Sequence, residues 1–337
     1  MSLVKRKIFW FLFLIVILGV ALYECKFGRN YPKDISLNYP KDYFGVTYSK
    51  KFASELGLDW KDAYLKTLDE LKVKYVRLPI YWDEIETIEG NYNFSDYDYL
   101  ISEGEKRHVN FIINAGWRLP RWPECHAPVW TKQLNTEATR EKSLKMIETV
   151  VRRYQGRDSV IYWQIENEPL LDVFGECPDS DVNFLRKEVA LVKGLDDRRV
   201  LVTASGELSS WATESKIGDS IGTTMYRIVW NPWFGYFKYF IPSWVYRFKA
   251  DFLKIPDDRR IIAELQAEPW VPGQQTMTEM TKEEFSRSLS LEQFKGNVQY
   301  AINVRFKQAY LWGVEWWYFQ KQKGNPEYWD FAKTLFK

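Results

Sequence analysis

Two glutamates stand where ordinary packing gives them no reason to be. Glu168 lies in Ile165-Glu166-Asn167-Glu168-Pro169, and about a hundred residues later Glu264 interrupts the apolar run Ile261-Ile262-Ala263-Glu264-Leu265-Gln266. A carboxylate in an apolar strand is costly to bury unless it is paired or functional. Two carboxyl groups held about 5 Å apart can protonate a leaving oxygen and attack an anomeric carbon, the requirement for retaining hydrolysis of a glycoside. Other chemistries find little support. The histidines are His108 and His126, which excludes an H-E-x-x-H zinc hydrolase and leaves two candidates for a histidine-dependent triad. The cysteines Cys25, Cys125 and Cys177 lack metal-site spacing, and no glycine-rich phosphate loop follows any strand-like run. Against 45 Asp and Glu stand 47 Lys and Arg, spread along the chain, which argues against a nucleic-acid binder.

The elements that must position these glutamates show in the hydrophobic patterning. With 337 residues, 46% of them hydrophobic and 17% aromatic, the chain can build a sizeable core. From Asp42 onward, strand-like runs at 43–48, 75–80, 109–116, 160–166, 200–205, 221–226, 261–266 and 310–316 alternate with helix-like stretches at 60–72, 96–107, 137–153, 180–194 and 282–307. Thr281 and Glu284 suggest a capping box at the start of the last stretch. No repeat, low-complexity tract or linker divides the region, so it reads as one domain, 41–337. Repeated βα units imply parallel strands, and eight of them fit a closed (β/α)8 TIM barrel. An open doubly wound sheet shows the same alternation, but its nucleotide-binding version lacks its motif here. In a barrel the active site is built at the C-terminal ends of the strands. Glu168 on the fourth strand and Glu264 on the seventh can then face each other across the mouth.

The segment YWQIENEP followed by IIAELQ resembles the clan A glycoside hydrolases, retaining enzymes built on a (β/α)8 barrel. The resemblance covers most of residues 41–337; WQIENE and RLPIYWDEIETIEGNYNF are similar to the β-galactosidase-like branch, while the cellulase-like branch shares the two acids. It implies Glu168 as acid/base, Glu264 as nucleophile and Asn167 as a contact to the substrate 2-hydroxyl. By the same resemblance Arg77 in YVRLP orients the nucleophile and keeps it ionised, and Tyr226 hydrogen-bonds it. VEWWYF on the eighth strand then supplies an aromatic platform for the sugar, at Trp317 or Trp316. Cellulase-like members carry histidines near strands four and six; this chain has none there. The implied activity is hydrolysis of a β-linked oligo- or polysaccharide without metal or organic cofactor. A transglycosylase using the same residues and a catalytically idle carbohydrate-binding barrel are the alternatives. Glu166 competes with Glu168, and Glu268 with Glu264, while His126 is a weaker candidate for substrate contact.

In such a barrel Cys125 follows strand three and Cys177 follows strand four, so a disulfide between neighbouring loops on the active-site face is expected. The aromatic stretch 229–248 has no place in the family pattern; it reads as core packing, sugar platforms or a patch dipping into a bilayer. At the N-terminus Lys5, Arg6 and Lys7 precede Ile8 to Tyr23, sixteen residues without a charge. As a helix this run spans roughly 24 Å, enough for an anchor or a signal segment. No small-x-small cleavage site follows, which favours an uncleaved anchor with residues 1–7 inside the cell. Residues 24–40 then form a stalk and the catalytic domain lies outside the cytoplasm, membrane-attached, or secreted if the segment is cleaved.

Overall fold

The computed structural model describes residues 39–273 and 275–336. Eight parallel strands close into a barrel: β1 (Phe44–Thr47), β2 (Tyr75–Pro79), β3 (Asn110–Ala115), β4 (Val160–Ile165), β5 (Val200–Ala204), β6 (Ser220–Met225), β9 (Arg260–Gln266) and β10 (Gln308–Trp312). Between β6 and β9 the chain inserts an antiparallel hairpin of β7 (Ile228–Asn231) and β8 (Gly235–Lys238). Each barrel strand falls within or beside a run expected from the sequence, and the protein is a single (β/α)8 barrel.

The barrel interior is layered with the two-residue period of a strand. Its floor is apolar, built from Ile112, Tyr162, Leu201, Ile261 and Tyr310. Two residues further along three of these strands stand Asn114, Gln164 and Thr203, all buried, and Arg77 of β2 is buried with them. Bulk at the floor is accommodated by Gly45, where a Cβ would come within 2.7 Å of the Tyr310 ring. β9 departs from simple alternation. Both its neighbours pair with Ile262 and then skip Ala263, Thr223 and Thr224 on one side flanking the same irregularity as Ala309 and Leu311 on the other. Such a bulge re-aims the side chains beyond it. Ile261 belongs to the barrel floor while Ile262 and Leu265 join the outer core, so the extra residue turns Glu264 and Gln266 inward.

The outer layer is helical, including Trp60–Asp69, Ser95–Glu105, Thr136–Tyr154, Val182–Lys193, Trp244–Phe252, Leu291–Val304 and Val314–Gln322. Amphipathic spacing explains them: Met146, Ile147, Val150, Val151 and Tyr154 bury one face of Thr136–Tyr154. Three boundaries differ from expectation. The stretch 282–307 divides into Lys282–Phe285, capped by Thr281, and Leu291–Val304, whose reciprocal capping box uses Ser290 and Gln293. The fourth strand stops at Ile165, so Glu166 and Glu168 do not alternate on it but follow in a loop, with φ of 58° and 46°. The eighth strand stops at Trp312. Gly313 turns the chain with φ 129°, where a Cβ would lie 2.6 Å from that of Glu268, and residues 314–322 continue as helix.

Trp316 and Trp317 are thereby removed from the barrel mouth. Both are fully buried in that helix. Trp317 donates to the Ala267 carbonyl at 2.6 Å and packs on Phe294, whereas Trp316 packs between Phe285 and Tyr328. Neither can serve as the sugar platform expected of them. Among the described residues no helix is long and apolar enough to cross a membrane, and the run 8–23 lies outside them.

Candidate active site

Arg77 sits at the centre of the barrel mouth. Its Nε donates to Gln164 Oε1 at 2.6 Å, Nη1 to Glu264 Oε1 at 2.8 Å and Nη2 to Asn167 Oδ1 at 2.8 Å. One planar guanidinium therefore ties β2 to β4, to the loop after β4 and to β9, a task the point charge of a lysine could not perform. The second oxygen of Glu264 accepts from the Tyr226 hydroxyl at 2.9 Å. With a donor on each oxygen, the Glu264 carboxyl is held in one position, tied to β2 by Arg77 and to the end of β6 by Tyr226.

Glu168 has a different environment. Its backbone N–H donates to Thr203 Oγ1 at 2.9 Å, and its Oε1 accepts from the Thr224 hydroxyl at 2.9 Å. Thr224 is in register with Glu264 on the neighbouring strand, so the same strand pair carries both glutamates' contacts. Burial, followed by the nearby charges of Glu264 and Glu124, holds the Glu168 carboxyl well above the usual carboxylate range. The two carboxyls thus differ in surroundings: Glu264 is contacted by a guanidinium and a phenol, Glu168 by threonine hydroxyls with other carboxyls nearby.

Glu166, the competitor of Glu168, has its oxygens taken by the backbone N–H groups of Trp117 and Arg118. It shapes the loop after β3. Gly116 makes room for it: with φ 156°, a Cβ there would lie 2.6 Å from the Glu166 carboxyl carbon. Glu188, buried on the helix Val182–Lys193, is held above its ordinary range by burial and by Glu166. Glu268, the competitor of Glu264, is ion-paired through both oxygens with Arg121, which also reaches Glu315 at 3.1 Å. Trp312 donates to Glu268 at 2.8 Å, so its oxygens are committed to structural contacts. His126 is buried between Lys51 and the Arg121 carbonyl, and burial lowers its pKa to about 4, so it is a neutral packing residue.

Two features of the site escape the sequence motifs. Glu124 reaches in from the loop after β3, accepting from Asn167 Nδ2 at 3.3 Å with Arg118 Nε at 3.8 Å. Burial and the charge of Glu264 raise its pKa to about 8. Its neighbour Cys125 is disulfide-bonded to Cys177, and Gly175 packs so closely that a Cβ there would meet that of Glu124 at 2.8 Å. The second feature is a line of aromatic rings from three loops that continues from Tyr226. Tyr226 meets Trp270 at 5.4 Å, Trp270 meets Phe174 at 5.7 Å, and Phe174 meets Trp122 at 5.9 Å. A tryptophan or phenylalanine in each of RWPEC, VFGEC and AEPW was the available signal, but nothing in one sequence says that these loops converge.

A sequence profile for the cellulase family, glycosyl hydrolase family 5, matches residues 43–287. Among curated proteins the chain is 26% identical over 174 residues to beta-galactosidase BgaA of Clostridium cellulovorans, covering 45% of this chain and 26% of that protein. It is 28% identical over 121 residues to a probable mannan endo-1,4-beta-mannosidase A of Aspergillus niger, covering 32% of this chain and 30% of that protein. The matched part thus spans under a third of either relative. Among solved structures, a GH5_18 protein from Streptomyces cattleya in complex with GlcNAc aligns with TM-score 0.54 at 12% identity, covering 81% of this chain and 70% of that one. Xylanase 10B from Thermotoga petrophila, in complex with xylobiose, aligns with TM-score 0.53 at 15% identity over 84% and 87%. At these identities the structures establish a shared fold.

Proposed function

The chain belongs to the cellulase family of glycosyl hydrolases, family 5, and from that membership we propose that it hydrolyses a β-linked glycan with retention of configuration. The observation that carries this reading is the opposed treatment of the two glutamates. Glu264 accepts hydrogen bonds on both oxygens, from Arg77 and Tyr226, while Glu168 is buried and its carboxyl is held well above the usual carboxylate range. Glu264 attacks the anomeric carbon as Glu168 donates its proton to the departing glycosidic oxygen. Glu168, now a carboxylate, takes a proton from the water that cleaves the glycosyl ester, and both residues return to their starting states. Asn167, aimed by Arg77, meets the 2-hydroxyl of the reacting sugar. The rings of Trp270, Phe174 and Trp122 provide stacking surface beyond it, the part that the family resemblance assigns to Trp317 or Trp316.

The same proposal places the enzyme at a membrane. The basic residues 5–7 and the uncharged run 8–23 suit an anchor that leaves the barrel outside the cytoplasm, where a disulfide such as Cys125–Cys177 persists. The test is hydrolysis of β-gluco, β-galacto, β-manno and β-xylo aryl glycosides and polysaccharides, with the product anomer followed by NMR. Release of one sugar as the β-anomer, abolished in Glu264→Gln, is the expected result. Release as the α-anomer, or activity that survives in Glu264→Gln, overturns the mechanism. Folded protein that binds glycan without cleaving it is an idle barrel.

A further inference from the structure

The stretch 229–248 packs into the core only in part, through Tyr246 and Ile241. It forms the β7–β8 hairpin and the start of the helix Trp244–Phe252; Tyr246 is buried in the core, and the large Trp and Phe side chains at 233, 234, 237, 240, 244 and 248 are exposed. At the hairpin tip Trp233 and Phe234 are 86% and 79% exposed. Phe237 and Phe240, with centroids 6.4 Å apart, continue the surface below the tip. On the helix, Trp244, Phe248 and Phe252 recur every four residues as a single stripe, 59%, 60% and 75% exposed, with centroid separations of 6.4 and 6.2 Å. The opposite face, Tyr246 and Ala250, is buried against the barrel. Scattered exposed apolar residues need no explanation, but an exposed set of seven large ones within twenty positions marks an interaction surface.

Position separates the possible occupants. A glycan in the cleft is served by the rings of Trp270, Phe174 and Trp122, which line the mouth. The helix Trp244–Phe252 leaves the C-terminal end of β6 through the hairpin and runs back toward the start of β9. Its stripe therefore descends the outer wall, away from the mouth. Sugar sites also pair rings with convergent polar groups, whereas this stripe consists of Trp and Phe alone. Those residues suit the lipid headgroup boundary, where amphipathic surface helices bury one apolar face. The chain itself brings a bilayer close: the uncharged run 8–23 is separated from the first described residue by 24–38, a length of chain that spans at most about 50 Å.

We propose that the β7–β8 hairpin tip and the Trp244, Phe248 and Phe252 stripe form a docking surface for a lipid bilayer, distinct from the N-terminal anchor. Docking orients the catalytic strand directly. Gln266, two residues beyond Glu264, accepts from the backbone N–H groups of Arg227 and Ile228 at 2.8 and 3.0 Å and donates to the Ile228 carbonyl at 2.6 Å. The hairpin is thus clamped to the strand that carries the nucleophile, and seating it on lipid lays the mouth alongside the membrane surface. The proposal draws on the anchor reading only for proximity, so the experiment must report the two separately.

Full-length chain is reconstituted into vesicles of phosphatidylcholine brominated along its acyl chains, which quench tryptophans seated in the bilayer. Three forms are compared: wild type, Trp10→Phe, and Trp10→Phe with Trp233→Phe and Trp244→Phe. Docking predicts that Trp10→Phe keeps substantial quenching and that the triple variant falls to the level of unbrominated vesicles. The double substitution Phe248→Glu/Phe252→Glu, with an unchanged circular dichroism spectrum, is expected to abolish the quenching that Trp10→Phe retains. If Trp10→Phe alone removes all quenching, the anchor stands and the docking surface is overturned. If wild type loses nothing on Trp10→Phe while the triple variant does, docking stands and the anchor reading fails. Shielding of Trp233 and Trp244 from acrylamide by soluble oligosaccharide, or by rising protein concentration without lipid, together with no lipid quenching, also overturns the proposal in favour of a sugar or self-association surface.

Discussion

The two glutamates differ because their neighbours differ, and Glu124 sits electrostatically between them. At neutral pH Glu124, with a pKa of about 8, is protonated, so its contact with Asn167 involves a neutral carboxyl. Its ionisation above that pH introduces an anion beside Glu264 and Glu168. Glu124→Gln is therefore expected to keep kcat/KM at pH 6 within about tenfold, the net worth of one hydrogen bond. It should also remove a titration near pH 8 from the alkaline limb of the profile. The limb due to Glu168 itself, which loses its proton and hence its donor role as pH rises, remains in the variant. A profile unchanged by the substitution would mean that Glu124 does not communicate with the acid. Trp270, in contact with Tyr226 and half-buried, is expected to act in binding. Trp270→Ala should raise KM for an oligosaccharide by about two- to tenfold, an aromatic contact of about 0.5–1.5 kcal/mol, and leave kcat on a small aryl glycoside nearly unchanged.

At the scale of elements, the loops after β3 and β4 act as a unit. Glu166 holds the first by accepting from Trp117 and Arg118, Asn167 donates its backbone N–H to the Arg118 carbonyl at 2.7 Å, and the disulfide joins their outer parts. Closing a loop between residues 52 apart restricts the unfolded chain by about 4 kcal/mol on the chain-entropy account. Cys125→Ser/Cys177→Ser is accordingly expected to lower the melting temperature. It should lower kcat/KM as well, because Cys125 neighbours Glu124, whereas a purely stabilising bridge would leave catalysis below the melting temperature untouched. The hairpin insertion between β6 and β9 is the other element-scale departure. It follows directly on Tyr226 and Arg227 and is fastened to Gln266, so it extends the site's own scaffold outward.

Across the whole molecule, buried ionisable groups set opposing pH limits. Glu124 and Glu207 are raised to about 8 and about 7 from 4.5, both by burial first. Above pH 4.5 the unfolded chain sheds these protons while the folded one retains them, so stability falls as pH rises through 7 to 8. His126 works in the other direction. Its folded value near 4 against 6.5 unfolded means that the unfolded chain binds the extra proton first, and stability falls as pH drops from 6.5 toward 4. Thermal unfolding should therefore show a maximum at mildly acidic pH. Glu207→Gln flattens the alkaline side, provided that the contacts from Tyr246 and the Tyr226 backbone survive. A melting temperature that climbs steadily from pH 6 to 9 would show that other groups dominate.

The barrel, its eight strand runs and the two glutamates Glu168 and Glu264 are legible in the sequence because they rest on local pattern, whereas Asn167, Arg77 and Tyr226 are legible through the resemblance to the clan A glycoside hydrolases. Alternation records which faces are buried, and a carboxylate in an apolar run announces itself. What local pattern cannot carry is where the chain bends. The bulge at Ala263 turns Glu264 inward by one residue's change of register, while the left-handed residues after β4 and the early end of β10 at Gly313 take the chain out of the strand altogether. That is why Trp316 and Trp317, adjacent to a barrel strand in sequence, belong to the outer core in space. Convergence is likewise tertiary. Glu124, Trp122, Phe174 and Trp270 occupy three loops whose meeting depends on barrel closure, and the outward stripe of Trp244, Phe248 and Phe252 reads as core until the opposite face of its helix is seen to be the one the barrel covers.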